Sequence, residues 1–384
     1  MPGLAAFRIG GLKPSLVAGG RAQNDGAYNM TIGLQRFLMF HLPGRDPAFQ
    51  VFCNSAIQSR SMFRRMELLK SFVKFSIAPM LLAAASLAPA AQLSTDARGA
   101  IPHEVQQLVV IDYRAMQNSP AAMDLRDRVM PPELKLFDEA LRKSGLNDNH
   151  DVDMLAFALF RPSPGSDALL TVGIAQGQFS MDDVLATFRR QKVKATLVRT
   201  NKIYPMAKTG MVLCFVDPST MVFGQKDAVT KALDARDGTA SSLLSNGPMM
   251  DAMRSVDSEP LWSILDDKGT QTMMRQLLGE AGGVTDFETV RKRLVGSWYS
   301  MNFQHGVKFD LTISTGDSFA AATVSSLLTA AVMVRKMSGS ETEKHALSAT
   351  SIGSDSGRLT IHFATSDSEF SSLLQSPLFQ SMVR

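Results

Sequence analysis

The sequence predicts an α+β fold in which two similar β-α-β-β-α-β-β-α units form mostly antiparallel sheets with helices packed on one face. Three observations lead to this prediction. Short apolar runs occur as neighbouring pairs joined by turn residues, stretches with helical spacing lie between the pairs, and the same order of elements occurs twice. Adjacent strand pairs favour antiparallel pairing, because parallel neighbours need a long crossover.

The first predicted unit is residues 92–245. Its predicted elements are a strand 108–113, a broken helix 121–128 and 132–143, strands 154–160 and 168–178, a helix 180–191, strands 196–204, 211–216 and 221–223, and a helix 227–237. Period-two alternation defines the strands. The first helix is broken at Pro131-Pro132 and the last ends at Gly238, as the chemistry of these residues predicts.

The second predicted unit is residues 246–384. Its predicted elements are a strand 261–265, a broken helix 271–279 and 286–294, strands 297–303 and 307–314, a helix 318–337, strands 345–352 and 358–363, and a helix 366–375. The apolar run 319–334 is shorter than a bilayer span and contains Ser and Thr residues. It therefore predicts a core helix between the two halves.

Residues 66–91 have the pattern of a secretory signal peptide. Lys70 and Lys74 precede an apolar stretch, 75–87, which ends in small residues. This order predicts cleavage after Ala90 or Ala91 and an exported, periplasmic or extracellular protein with no stable membrane span afterwards. The alternative is that the segment is retained as a single membrane anchor.

Residues 1–65 form a doubtful or disordered N-terminal extension. They hold eight Lys or Arg residues against two Asp residues, which accounts for the formal net charge of +4. Because signal peptides are N-terminal, this extension predicts a true start at Met66 or Met62. Residues 91–384 are mildly acidic and contain no long basic cluster, which argues against nucleic-acid binding.

The sequence holds two cysteines, Cys53 and Cys214. Cys53 lies in the doubtful extension, so the exported part has one cysteine and no internal disulfide. Cys214 lies in an apolar strand-like run, 211–216, which predicts a buried, inert thiol.

No recognised metal motif is complete. His103-Glu104 begins like a zinc-protease helix but lacks the second His one turn later. An oxygen-rich loop holds Asp148, Asp151 and Asp153, but it lacks the Gly and the late Glu of a calcium loop. The prediction is that the protein has no metal site, with a cation in this loop as the alternative to a polar turn.

No phosphate loop, dinucleotide fingerprint or nucleophile elbow occurs, so the sequence predicts no cofactor. Five histidines follow the signal segment and cannot be paired with partners from the sequence alone: His103, His150, His305, His345 and His362. Catalytic residues therefore stay unknown, and an enzyme is less favoured than a non-enzymatic protein.

Methionines are clustered in the second unit, at 249, 250 and 253 and at 273 and 274. Thioether side chains fill irregular gaps in cores, line adaptable apolar grooves and bind Cu(I). Core filling is the favoured interpretation.

Three short motifs resemble those of exported bacterial proteins of unassigned function in which a signal peptide precedes duplicated α+β units. They are Asp151-Val152-Asp153 at a strand entry, Gly177-Gln178-Phe179 before a helix, and Val222-Phe223-Gly224 before Asp227-Ala228-Val229. The resemblance implies export and a duplicated fold.

The sequence favours a non-enzymatic binding or interaction protein. Two similar halves create a cleft or surface where they meet, which is a common position for a ligand site. The predicted partner is an apolar ligand or an envelope protein, and not a nucleic acid. Two alternatives are a hydrolase-like enzyme without a recognisable motif and a cell-envelope scaffold. A perturbed His or carboxylate in a pocket would favour the first, and a large exposed apolar patch the second.

Overall fold

The structure is a computed structural model that describes residues 92–130, 132–146, 151–206, 209–278 and 287–376. The predicted extension 1–65 and the predicted signal peptide 66–91 lie outside the described residues, as do Asp148 and His150.

Helices and strands alternate along the first half of the described chain. They are α1 Thr95–Gly99, β1 Val105–Asp112, α2 Tyr113–Gln117, α3 Pro120–Val129, α4 Pro132–Lys143, β2 Val152–Phe160, β3 Leu170–Gly177, α5 Met181–Arg190, β4 Thr196–Val198, β5 Asn201–Pro205, β6 Val212–Asp217, β7 Thr220–Gly224 and α6 Lys226–Arg236.

A short 3-10 turn, Leu243–Ser245, leads into the second half. Its elements are α7 Gly247–Arg254, β8 Leu261–Leu265, α8 Asp267–Leu278, α9 Phe287–Arg291, β9 Leu294–Asn302, β10 Val307–Thr315, α10 Ser318–Ser338, α11 Glu341–Ser348, β11 Thr350–Asp355, β12 Arg358–Thr365 and α12 Asp367–Leu374.

The strands form one 12-stranded sheet in the order β11-β12-β10-β9-β8-β1-β2-β3-β7-β6-β5-β4. Neighbouring strands pair antiparallel, and β1 lies beside β8 with Val109 opposite Ser263. From this central pair, the order β1-β2-β3-β7-β6 on one side matches β8-β9-β10-β12-β11 on the other. The predicted α+β fold with a mostly antiparallel sheet is confirmed, and the sheet continues from one predicted unit into the other.

The centre of the sheet is covered on both faces. Along β1, Val109 and Ile111 point into one hydrophobic core, which contains side chains of α3, α4 and α8. Leu108 and Val110 point into a second core with side chains of α1, α6 and α7. The structure thus adds a second helical layer to the predicted single one. Its sequence signature is an unbroken apolar run, since a strand buried on both faces does not alternate with polar residues.

The outer part of the second half has helices on one face only. On β10, Phe309 and Leu311 are buried while Asp310 between them is exposed. The helix that closes the first half, α6, packs into the second core, whereas its counterpart α12 sends Phe370 and Leu374 into the first. Apart from α7, which contacts β9, this leaves one face of β9, β10 and β12 without a covering helix among the described residues, and we name it the open sheet face.

Helix α10 does not lie between the two halves as predicted. It packs on β10, β11 and β12 through buried side chains such as Val324 and Leu328. Four apolar side chains on its outer side are exposed: Phe319, Met333, Val334 and Met337. The apolar residues of this helix therefore cover more of its surface than the face that is buried against the sheet. Within the described ranges, no helix is both long and apolar enough to cross a membrane.

The predicted strand 345–352 is wrong in its first half. Residues 345–348 belong to α11, and β11 begins at Thr350. A capping box fixes the start of the helix: the Ser340 hydroxyl accepts a hydrogen bond from the Glu343 N–H, and the Glu343 carboxylate accepts one from the Ser340 N–H. This local signal overrides the weak alternation that favoured a strand.

Most of the described methionines fill the core, as the favoured interpretation holds. Nine are buried: Met116, Met154, Met206, Met221, Met249, Met253, Met273, Met274 and Met301. Met333 and Met337 on α10 are the opposite case, since Met337 is 85% exposed.

Mild peroxide treatment is expected to oxidise Met337 and Met333 well before Met253 and Met274, because oxidant reaches only exposed thioethers in the folded protein. Peptide mass spectrometry over a time course measures this order. Equal rates at all four positions would contradict the burial of the Met253 and Met274 side chains.

Candidate functional site

A pocket of about 550 Å³ lies on the second-core side of the sheet, beside the strands that join the two halves. Five parts of the chain form its wall: the segment before β1, the residue after β2, helix α7, the turn between β8 and α8, and the open sheet face of β9, β10 and β12. The pocket therefore lies near the β1/β8 junction, where the sequence predicts a cleft.

One wall of the pocket is apolar. Helix α7 contributes Pro248 and the buried side chain of Met249, and β8 contributes Leu265. Strand β9 adds Val295, which is exposed, and Trp298, which is half-buried. The next residue on β9, Tyr299, points into the first core. Because side chains alternate along a strand, Trp298 points to the opposite side, towards the pocket.

A buried ion pair closes the end of the pocket near β1. The Arg161 guanidinium contacts the Asp266 carboxylate, and the two side chains are only 10% and 15% exposed. Arg161 follows β2 and Asp266 follows β8, so the pair connects the two halves. Arg161 also donates a hydrogen bond of 2.8 Å to the Gln106 side-chain oxygen on β1.

Asp266 has a second role as the cap of α8. Its Oδ1 accepts a hydrogen bond of 2.7 Å from the Gly269 N–H. Burial raises the pKa of the Asp266 carboxyl from 3.8 to about 6, although the Gly269 N–H and the Arg161 charge both favour the ionised form. Both carboxylate oxygens are therefore engaged in structural contacts.

Trp298 of the apolar wall has a cation over its ring. The Arg358 guanidinium lies over Trp298, with 6.0 Å between the guanidinium carbon and the ring centroid. Arg358 is on β12, directly opposite Ser314 on β10, and both line the pocket. None of the described carboxylates forms an ion pair with Arg358.

His103 and Glu104 line the rim. His103 Nδ1 and Glu104 Oε1 are 3.1 Å apart, and the Asn246 side chain donates a hydrogen bond of 3.0 Å to the His103 carbonyl. The segment is a turn that leads into β1 and not a helix, so the partial zinc-protease motif has no helical face on which to build a metal site.

The predicted oxygen-rich loop is only partly described. Asp148 lies outside the described residues, while Asp151 immediately precedes β2 and Asp153 is the second residue of that strand. The Asp153 carboxylate contacts the Arg114 guanidinium. No group of three or more His, Cys, Asp or Glu side chains among the described residues could hold a metal ion.

The remaining candidate nucleophile and base residues that the structure describes lie outside the pocket. Cys214 is fully buried, and burial raises its pKa to about 11, as expected of an inert thiol. His305 lies in the β9/β10 hairpin turn. His345 lies 3.5 Å from Glu369, whose pKa falls to about 2 because Ser366 and Thr365 donate hydrogen bonds to it.

Strand register places Ser351, His362 and Asp310 in one row across β11, β12 and β10. The His362 ring contacts the Asp310 carboxylate, and all three side chains are exposed on the open sheet face. The described residues include no hydrogen bond from Ser351 to His362. The row lies outside the pocket lining, so we interpret the His362–Asp310 contact as a surface cross-strand pair.

Sequence reasoning missed the side chains that define the pocket, namely Arg161, Asp266, Trp298 and Arg358. One usable signal exists. Asp266 directly follows an apolar strand and precedes Gly269 by three residues, which is the position of a helix cap. A charged residue immediately after a buried strand also marks Arg161.

Fold and site together define an α+β protein with one antiparallel sheet over the described residues and a pocket lined by both apolar and charged side chains. Three solved structures with the titles "Structure of crystal form I of TP0453", form III and form IV are similar to the chain. They share 10% identity with it, at TM-scores of 0.43, 0.42 and 0.40. The alignments cover 72%, 72% and 73% of this chain and 95%, 96% and 96% of those chains. No protein-family model and no curated protein matches the chain.

Proposed function

We propose that this chain is an exported, non-enzymatic binding protein whose ligand occupies the pocket beside the β1/β8 junction. The observation that carries the proposal is the pocket itself. Its volume of about 550 Å³ lies in the range of small-molecule sites, about 300 to 1,000 Å³, and its lining combines an apolar wall with polar and charged side chains.

The engagement of Asp266 supports binding over catalysis. A general base needs an oxygen that can reach a substrate proton. Gly269 and Arg161 engage the two oxygens of Asp266 in structural contacts, and burial of the carboxyl raises its pKa. The hydrolase alternative therefore has no available base at this position.

The export part of the proposal rests on the pattern of residues 66–91. N-terminal sequencing of the protein from its native host tests it. We expect a chain that begins at Ala91 or Gln92, in the periplasm or the medium. A chain that retains residues before Met62 would contradict both the predicted start and the cleavage.

A ligand screen with a blocked pocket tests the binding part. Ligands that bind only the folded protein raise the melting temperature by mass action. Ser255→Trp puts a large side chain at the pocket lining, and Ser348→Trp on α11 is the matched control outside it. We expect a hit from a screen of lipids, peptides, sugars and nucleotides to shift the wild type and the control but not the blocked variant. A hit that shifts all three proteins equally would place the ligand elsewhere.

The exposed side of α10 supports a second candidate, a cell-envelope scaffold. Phe319 and Met337 are 70% and 85% exposed, and residues 318–334 contain no charged side chain. Phe319→Ser/Met337→Ser is expected to leave the melting temperature and pocket binding unchanged but to release the protein from the envelope fraction of its host. Identical fractionation of wild type and variant would exclude this candidate.

A further inference from the structure

Three of the four acidic side chains of the pocket lining lie beside an arginine or a histidine side chain. Of its four acidic side chains, Glu104 contacts His103, Asp266 contacts Arg161, and Asp251 lies 2.6 Å from Arg254. Asp267, the fourth, lies in the first turn of α8, where the helix dipole stabilises a negative charge.

Arg358 is the exception among the lining residues. Its guanidinium stacks on Trp298 and has no carboxylate partner within the described part of the chain. A guanidinium carries its N–H donors in a planar fork, which suits a planar, two-oxygen acceptor. The pocket lining thus offers one arginine that no described carboxylate contacts.

Ser314 adds a hydroxyl beside that charge. It lies directly opposite Arg358 in the β10/β12 register, where side chains of paired residues lie about 5 Å apart. Arg358 and Ser314 together can donate to both oxygens of one carboxylate. A phosphate dianion carries a larger charge and more oxygens, and it would need more donors than these two side chains.

The apolar wall begins next to the same arginine. Trp298 and Val295 continue along β9, and Met249 and Pro248 face them from α7. We propose that the pocket binds a single-tailed amphiphile by its carboxylate head, with the head at Arg358 and Ser314 and the tail along Trp298 and Val295. This inference rests on the proposed binding function and names the ligand class for the same pocket.

Four eight-carbon compounds test the proposal when they are titrated into the purified protein, each below its critical micelle concentration. They are octanoate, octyl phosphate, octylamine and 1-octanol. Titration calorimetry gives the affinity, and Trp298 fluorescence gives the location, with Trp298→Phe as the signal control because Trp262 is buried. We expect octanoate to bind tightest. We expect Arg358→Gln to weaken it roughly tenfold without changing octanol binding, since tenfold corresponds to about 1.4 kcal/mol, the scale of one charge-assisted contact.

The matched control is Arg190→Gln on α5, which removes the same charge from an exposed position outside the pocket lining. Arg358→Lys keeps the charge but loses the planar stack, and we expect it to bind octanoate less well than the wild type and better than Arg358→Gln. An equal loss of octanoate affinity in Arg190→Gln and Arg358→Gln would show that the effect depends on net charge alone. That result would overturn the proposal.

The failure of this inference is distinguishable from the failure of the proposed function. Tighter binding of octyl phosphate or octylamine, or equal binding of octanoate and octanol, overturns the carboxylate assignment. If Ser255→Trp still abolishes that binding, the pocket remains a ligand site. If no probe binds, the assignment of an amphiphile as the ligand is wrong. If the broader ligand screen also gives no shift in melting temperature, the binding function is contradicted as well.

Discussion

Arg161→Met is expected to lower the free energy of unfolding by about 3 kcal/mol at pH 8, the lower end of the range for breaking a buried ion pair from one side. The Arg161 and Asp266 side chains are only 10% and 15% exposed, so solvent screens the remaining carboxylate weakly. The variant leaves that carboxylate in a buried site without its ion-pair partner, where the Gly269 N–H still donates a hydrogen bond to it. Urea unfolding at pH 8 measures the loss.

The same variant has a predictable pH dependence. The pKa of Asp266 is already raised to about 6 in the folded protein, and removal of Arg161 raises it further. A carboxyl whose pKa is higher in the folded than in the unfolded state favours folding most when it is protonated, below pH 4, and this contribution is lost as the pH rises through the folded pKa. The difference between wild type and Arg161→Met should therefore be largest at pH 8 and smallest near pH 4.

The double variant Arg161→Met/Asp266→Asn is the control. Asn keeps an oxygen for the Gly269 N–H but carries no charge, so the double variant should recover most of the stability at pH 8. A loss that is the same at pH 4 and pH 8, with no recovery in the double variant, would show that packing of the arginine stem and not charge determines the effect.

Local patterns in the sequence account for most of the elements. The alternation along 307–315 predicts β10 with its buried and exposed sides, because one face of that strand meets solvent. Ser366 and Glu369 form a capping box that fixes the start of α12, at the position where the sequence predicts a helix.

The junction of the two halves could not be predicted in this way. Gln107 donates a hydrogen bond of 3.2 Å to the Ser263 hydroxyl across β1 and β8, although 156 residues separate them. The local sequence of neither strand identifies its pairing partner, because the register of a strand pair depends on the packing of both faces and on the turns. The sequence predicts where a cleft could form but not which side chains line it.

The side chains of the candidate site could not be predicted from the sequence for the same reason. Asp266, Trp298 and Arg358 lie on or beside three different strands and meet only when β8, β9, β10 and β12 are in order. Each has an ordinary local interpretation: Asp266 is a helix cap, Trp298 is an aromatic residue in a strand, and Arg358 is a charged residue at the start of a strand. The position of α12 on the first core, which keeps Arg358 and Trp298 uncovered, is a tertiary outcome that no local pattern encodes.

Phe223→Ala is expected to cost about 4 kcal/mol of unfolding free energy, within the range for removing a buried phenyl ring. Phe223 is 4% exposed, stacks on Phe137 at a centroid distance of 4.5 Å, and meets the edge of Phe157 at 6.0 Å. The variant leaves a cavity and removes both aromatic contacts. Leu197→Ala, at a side chain 69% exposed on β4, should change stability by less than about 0.5 kcal/mol.

The ring of Phe223 also covers Gly173, its partner on β3, which gives the prediction a sharper form. A Cβ at Gly173 would lie 2.3 Å from the ring, so Gly173→Ala should destabilise the wild type by about 1 to 3 kcal/mol through overpacking. In the Phe223→Ala background the same methyl enters the new cavity, and its cost should vanish or change sign. Additive losses in the double-mutant cycle would show that the ring does not pack on Gly173, because residues that share a packing site must show a coupling energy.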